Sequence, residues 1–186
     1  MTKLIKKGQI VEIPFDCKKY NPTIPIFCSK KEELFWHSTA IKYSLFDGIL
    51  IGEHSGIENY EIGQRKRINV GGKKAPLYVI EIDKKENRIY VGESDLHPGL
   101  YQKVFIINRR DLHWFAFDYE NLKSLEINVT FEHCDDFFLE KAIIYFFEEI
   151  SFIEFQKPIF KGLMKYSNKI KLSSKNIQIA ELKITK

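Results

Sequence analysis

From Pro76 onward, short runs of β-branched and aromatic residues recur at nearly regular intervals, and no other feature constrains the fold as much. Leu77-Tyr78-Val79-Ile80-Glu81-Ile82 and Arg88-Ile89-Tyr90-Val91-Gly92 flank five polar residues, Asp83-Lys84-Lys85-Glu86-Asn87. Two such runs joined by a short polar turn predict a hairpin. Val104–Asn108, His113–Phe117, Leu125–Phe131, Phe152–Phe155 and Ile177–Ile184 continue the series, and strands so spaced suit a barrel or sandwich. Upstream, Gln9–Phe15 alternates apolar and polar residues and is broken by Pro14. Ile49-Leu50-Ile51-Gly52, after an Asp47-Gly48 turn, is expected as a short buried strand. One helix is expected from Ser29 to about Tyr43, since a serine followed by Glu32 and Glu33 resembles a capped start. Phe137–Glu149 stays open: two aspartates before it suit a helix start, while its density of β-branched and aromatic residues suits a doubly covered strand.

A chain of 186 residues accommodates one large or two small domains, with a core that needs no covalent staples. The net charge of +4 is modest, but its distribution is uneven. Gly63–Lys74 carries Arg65, Lys66, Arg67, Lys73 and Lys74 without a carboxylate, and Lys157–Lys175 carries six lysines without one. Glu132–Glu154 between them is acidic. Such segregation suits a polyanion-facing surface, or simply solvated loops. Cys17, Cys28 and Cys134 form no C-x-x-C pair, and the five histidines lack metal-ligand spacing, so no metal site is expected. Neither a signal peptide nor a transmembrane run is found, which leads us to expect a cytoplasmic chain with reduced thiols and no membrane contact. Phosphate-binding loop, nucleophile-elbow and H-E-x-x-H patterns are missing, so no self-contained catalytic constellation is expected.

The distinctive stretch is Gly52-Glu53-His54-Ser55-Gly56-Ile57, then Tyr60-Glu61-Ile62-Gly63-Gln64-Arg65-Lys66, then Gly71-Gly72. Its glycines permit positive φ and close backbone approach. Arg65 and Lys66 supply phosphate-directed charge, Gln64 both a donor and an acceptor, and amides beside Gly71-Gly72 add anion contacts. A glycine-rich turn with solvating cations accounts for the same composition. Tyr60 and Trp114 suit either base stacking or core packing.

This pattern resembles the hallmark of the tRNA-specific 2-thiouridylases, Gly-Glu-His-x-Gly…Tyr-x-Ile-Gly-Gln-Arg-Lys…Gly-Gly. The resemblance runs from about Gly48 to Pro158 through Pro76–Ile80, Asn87–Gly92, His97-Pro98-Gly99-Leu100, Asp111–Trp114, Lys141–Tyr145 and Ile153–Pro158. It implies a mainly β fold: a small β-rich central domain (1–74), then an antiparallel β-barrel of the aminomethyltransferase/elongation-factor-like type (75–186). It also resolves Glu140–Glu149 as a strand. In that family a separate ATP-pyrophosphatase domain adenylates uridine and two cysteines deliver sulfur. The resemblance therefore implies tRNA binding by Gln64, Arg65 and Lys66, supported by His54, Gly63, Gly71 and Gly72, and the carboxylate-free basic stretch adds Arg67, Lys73 and Lys74 as expected RNA contacts.

Three departures stand out. The family usually has glycine at Arg67, Gly-Ile at Asn69-Val70, and a Thr-Pro-Gly-Gln turn where Phe160–Met164 stands here. The ATP-pyrophosphatase domain has no counterpart, so no cofactor is expected in this chain and ATP only through a separately encoded partner. The expectation is a non-catalytic tRNA-binding module of the wobble-uridine 2-thiolation system. The alternatives are a sulfur-relay subunit using Cys28, or a protein-interaction scaffold that lost RNA binding.

Overall fold

A computed structural model describes residues 7–115, 122–133 and 136–183. The chain divides into two compact units, Met1–Pro25 with Ala40–Tyr101, and Ile26–Thr39 with Gln102–Lys186. Both are built on β-sheet, as expected.

The first unit holds β1 (Gly8–Glu12), β2 (Ile49–His54), β3 (Leu77–Asp83) and β4 (Arg88–Glu93), in the order β2-β1-β4-β3. The predicted hairpin is β3–β4, antiparallel from Leu77↔Glu93 to Asp83↔Arg88. Its turn closes because Asp83 Oδ1 accepts from the amides of Lys85 and Glu86 at 2.9 and 3.0 Å, with Asn87 at φ 53°. β1 sits between its antiparallel neighbour β2 and its parallel neighbour β4. Ile10, Leu77, Val79, Ile89 and Val91 form the apolar centre with Tyr60 and Ile68.

Two expectations change here. β3 and β4 follow Lys74, yet they complete this first sheet rather than opening the barrel, because β1 takes β4 as its parallel partner. The break between units accordingly falls at Tyr101/Gln102, not at 74/75. Ile49 and Leu50 are 64% and 55% exposed, since β2 is an edge strand. An apolar run alone does not distinguish an edge strand from a covered one.

The second unit holds α1 (Lys30–Ser38), β5 (Tyr101–Asn108), β6 (Leu112–Trp114), β7 (Ser124–His133), β8 (Asp136–Phe146), β9 (Ile150–Phe160), α2 (Lys161–Tyr166), β10 (Lys169–Ser174) and β11 (Ile177–Leu182). One sheet, ordered β5-β9-β8-β7-β10-β11-β6, curls as a half-barrel. Its longest ladder is β7–β8, ten antiparallel pairs from Ser124↔Tyr145 to His133↔Asp136. Ile127, Val129, Phe131, Ile144, Ile153, Phe155, Ile170 and Leu172 fill its core. The segment left between helix and strand is thus a strand, its inward Ala142, Ile144 and Phe146 alternating with outward Lys141, Ile143 and Tyr145. The strand β10 and the short helix α2 were not foreseen. Phe117, Cys134, Asp135 and Ile184 lie outside the described residues.

Helix α1 begins as expected, with the Ser29 hydroxyl accepting from the Glu32 amide at 3.2 Å and Glu32 accepting from the Cys28 amide at 2.8 Å. It stops at Ser38, short of Tyr43. The hydroxyls of Ser38 and Thr39 both donate to the Phe35 carbonyl at 2.9 Å and compete with continuation of the helix. Leu34 is the only fully covered residue of α1 and packs with Val104 and Phe152. Truncating it leaves a cavity under the helix, so Leu34→Ala is expected to cost about 3 kcal/mol. Urea unfolding measures this, and a loss under about 1 kcal/mol would mean that the helix is not seated by this side chain.

Candidate nucleic-acid interface

The cationic stretch expected to face RNA is a loop of the first unit between Tyr60 and Leu77, and its own hydrogen bonds fix its path. At its start the Gly63 amide donates to the Val79 carbonyl at 2.7 Å, and the Val79 amide donates back to the Gln64 carbonyl at 3.0 Å. Gly63 has φ 85°, the left-handed region that favours glycine. The Gln64 side chain folds back onto the loop's own backbone: Oε1 accepts from the Glu61 amide at 3.0 Å, and Nε2 donates to the Lys66 carbonyl at 2.8 Å. At the far end the Ala75 amide donates to Glu93 Oε1 at 2.6 Å and the Ser94 amide to the Pro76 carbonyl at 2.9 Å.

The middle of the loop rests on Tyr60 and His54. Tyr60 is buried, and its hydroxyl donates to the Arg67 carbonyl at 3.0 Å. Its ring stands edge-on to His54 at 5.6 Å. His54 is 2% exposed, with both ring nitrogens in use. Nδ1 accepts from the Gly56 amide at 3.3 Å, which places the proton on Nε2, 3.2 Å from the Asn87 carbonyl. Gly8 makes room for this bond, since a Cβ there would lie 2.4 Å from Nε2 and 2.1 Å from that carbonyl.

The expected site residues therefore divide by role. Arg65, Lys66, Arg67 and Lys74 are exposed, and among the described residues none of them is in an ion pair. Lys73 is bonded to Glu12. Gln64 and His54 spend their polar atoms within the fold, so they position the loop. Gly71 and Gly72 are exposed, with open space where a Cβ would stand, and Gly72 has φ 77°. Arg67, at a position where glycine is expected, adopts φ 70°. Tyr60 and Trp114 both pack on apolar clusters rather than presenting free rings. Sequence reading missed Asn87, Gly8, Glu12 and Glu93 as partners of this region. One signal was available: His-x-Gly occurs twice, at His54-Ser55-Gly56 and His97-Pro98-Gly99. The second pair repeats the device, with the Gly99 amide on His97 Nδ1 at 3.2 Å and Nε2 3.1 Å from the Ile13 carbonyl.

The second basic run is not a comparable surface. Lys157 pairs with Glu140 at 3.5 Å, Lys171 with Glu132, and Lys165 lies over the Tyr166 ring. Cys28 belongs to the second unit and is exposed. Its neighbour Lys30 bonds to Glu33 and Glu154 at 3.1 and 3.0 Å, and Lys31 lies over the Phe147 ring. Among the described residues no helix is long and apolar enough to cross a membrane.

Burial holds the His54 ring below the ordinary histidine range, against the opposing pull of the Asn87 bond and the Glu58 carboxylate. The folded chain thus takes up this proton less readily than the unfolded chain. The ring's contribution to stability is complete above the unfolded value of about 6.5 and is lost as pH falls through the lower folded value. Protection of the Gly56 amide against hydrogen exchange is expected to fall on acidification through that window. Protection that never falls at any pH below about 6.5 while the unit stays folded would count against this account.

Residues 41–93, which include the whole of this loop, match the model of the tRNA methyl transferase PRC-barrel domain. The tRNA-specific 2-thiouridylase of Karelsulcia muelleri is 36% identical over 154 residues, 82% of this chain and 37% of that protein. That of Flavobacterium johnsoniae is 32% identical over 153 residues, 82% of this chain and 39% of that protein. That of Rickettsia akari is 42% identical over 83 residues, 45% of this chain and 21% of that protein. The chain spans little more than a third of the length of the first two. Motif, mainly β fold and these matches agree: the chain is related to the carboxy-terminal part of the tRNA-specific 2-thiouridylases.

Proposed function

We propose that this chain is a tRNA-binding module of a wobble-uridine 2-thiolation system, non-catalytic alone and acting in the cytoplasm with a separately encoded ATP-pyrophosphatase partner. ATP would be used by that partner, and no cofactor by this chain. The observation that carries the reading is the set Arg65, Lys66, Arg67 and Lys74, four exposed cations that form no ion pair among the described residues, on a loop held by its own hydrogen bonds. Holding like charges together without carboxylates serves a polyanion, because each phosphate neutralised releases a counterion. The relatives' name, tRNA-specific 2-thiouridylase, indicates which polyanion.

Binding of tRNA should weaken steeply with salt. Replacing Arg65, Lys66 and Arg67 together by alanine is expected to weaken it at least about tenfold near physiological salt and to lower the slope of log K against log salt by about 2. Filter binding across a salt series measures both. Equal and salt-insensitive binding by the two forms would leave the scaffold reading instead. The exposed Cys28 thiol favours a second reading, sulfur relay. Under the reading preferred here, Cys28→Ser leaves tRNA binding and cellular 2-thiolation intact, and loss of 2-thiolation with binding preserved would favour the relay.

A further inference from the structure

Between Gln64, whose amide donates to the Glu61 carbonyl, and Ala75, whose amide donates to Glu93, no backbone N–H from Arg65 to Lys74 donates to a described residue. Arg67, Asn69 and Gly72 have φ of 70°, 54° and 77°, and the residues between them lie outside that left-handed region. Left-handed residues interspersed with others are the backbone pattern from which anion-binding concavities are built. The same stretch lines a cleft of about 500 Å³. Its lining includes the cations Arg65, Arg67, Lys73 and Lys74 and the apolar Val70, Pro76 and Leu77, and no carboxylate. The two carboxylates bonded to the loop are both engaged, Glu12 by Lys73 and Glu93 by the Ala75 amide. The volume falls within the usual range for small organic ligands, about 300–1,000 Å³, and exceeds what a lone phosphate fills.

We propose that this cleft is a site for one unstacked nucleotide. Its phosphate meets the free amides around Asn69–Gly72 and the cations Arg65, Arg67 and Lys74. Its base lies against Val70, Pro76 and Leu77. The proposal rests on the RNA-binding reading and narrows it, from a surface that tracks any phosphate backbone to one that takes a nucleotide out of a single strand. Apolar contact with a base face requires that the base be unpaired and splayed out.

The test is an amide-resolved NMR titration of the whole chain with uridine 5′-monophosphate, inorganic phosphate and uridine. Saturable shifts at residues 69–72 with the monophosphate are expected, with phosphate binding at least about tenfold weaker and uridine weaker still. Gly71 supplies the matching variant, because a Cβ there meets nothing within 4 Å and its φ is open to any residue. Gly71→Asp should therefore fold, place a carboxylate in the cleft and weaken the monophosphate at least about tenfold, whereas Gly71→Asn should bind more tightly than Gly71→Asp. Inorganic phosphate binding as tightly as the nucleotide would overturn the base subsite. Unshifted amides at 69–72, with tRNA binding still dependent on Arg65, Lys66 and Arg67, would overturn the cleft and leave the wider reading standing. Absence of any tRNA binding would remove the wider reading itself. Competition by duplex RNA equal to that of an unpaired oligonucleotide would also count against the site.

Discussion

A hydrogen bond from the His54 ring to the Asn87 carbonyl ties together strands that are not neighbours. His54 ends β2, Asn87 precedes β4, and β1 runs between those two strands. The ring can cross only because β1 begins with Gly8, where any side chain would collide with both the ring and the carbonyl. The other end of β1 is held in the same way. His97 reaches the Ile13 carbonyl across Gly92, where a Cβ would sit 2.4 Å from the imidazole. An inner strand of a four-stranded sheet is thus clamped at both ends by buried imidazoles, each with its two nitrogens satisfied. Burying an imidazole is tolerable on that condition, since an unpaired buried polar atom is costly.

The first clamp also sets the loop. His54 receives the Gly56 amide and presents its ring to Tyr60, and Tyr60 holds the Arg67 carbonyl. Gln64, which reads as an RNA-contacting side chain, closes the turn on the other side by bonding at Glu61 and Lys66. Buried or spent polar groups fix the backbone, and Arg65, Lys66, Arg67 and Lys74 project from it with no ion pair among the described residues. In water the repulsion between two such charges a few ångströms apart is only about 1 kcal/mol, so the arrangement can persist unbound.

Where pattern is local, the fold was legible. The β3–β4 hairpin follows from two alternating runs around a polar turn, and α1 from Ser29 with Glu32. Partnership between distant segments was not. The parallel pairing of β1 with β4, with Gln9 opposite Arg88, joins residues far apart in sequence, and no local period encodes it. It moved the division between the units from Lys74 to Tyr101. Strand β10 does alternate, with inward Ile170 and Leu172 following Lys169 and Lys171 respectively, but its lysines invite a reading as surface charge. For β8 periodicity was undecided, and family resemblance supplied the answer. The site shows the same limit: a run of cations announces itself, while the withdrawal of Lys73 to Glu12 depends on a strand 61 residues away.

Arg67 shows what that positioning asks of the backbone. A non-glycine residue in the left-handed region costs about 1 kcal/mol or more, and the related family commonly places glycine there. Two interactions offset the strain at this position. The Tyr60 hydroxyl fixes the Arg67 carbonyl, and the next residue, Ile68, is buried in the apolar centre of the sheet. The conformation is therefore imposed from both sides of the residue rather than by its own preference. What the chain gains over glycine is a guanidinium on the wall of the cleft, a planar donor suited to phosphate oxygens. Strain at a residue whose side chain contributes nothing visible to packing is expected where the side chain serves a ligand. Arg67, more than its lysine neighbours, carries that sign.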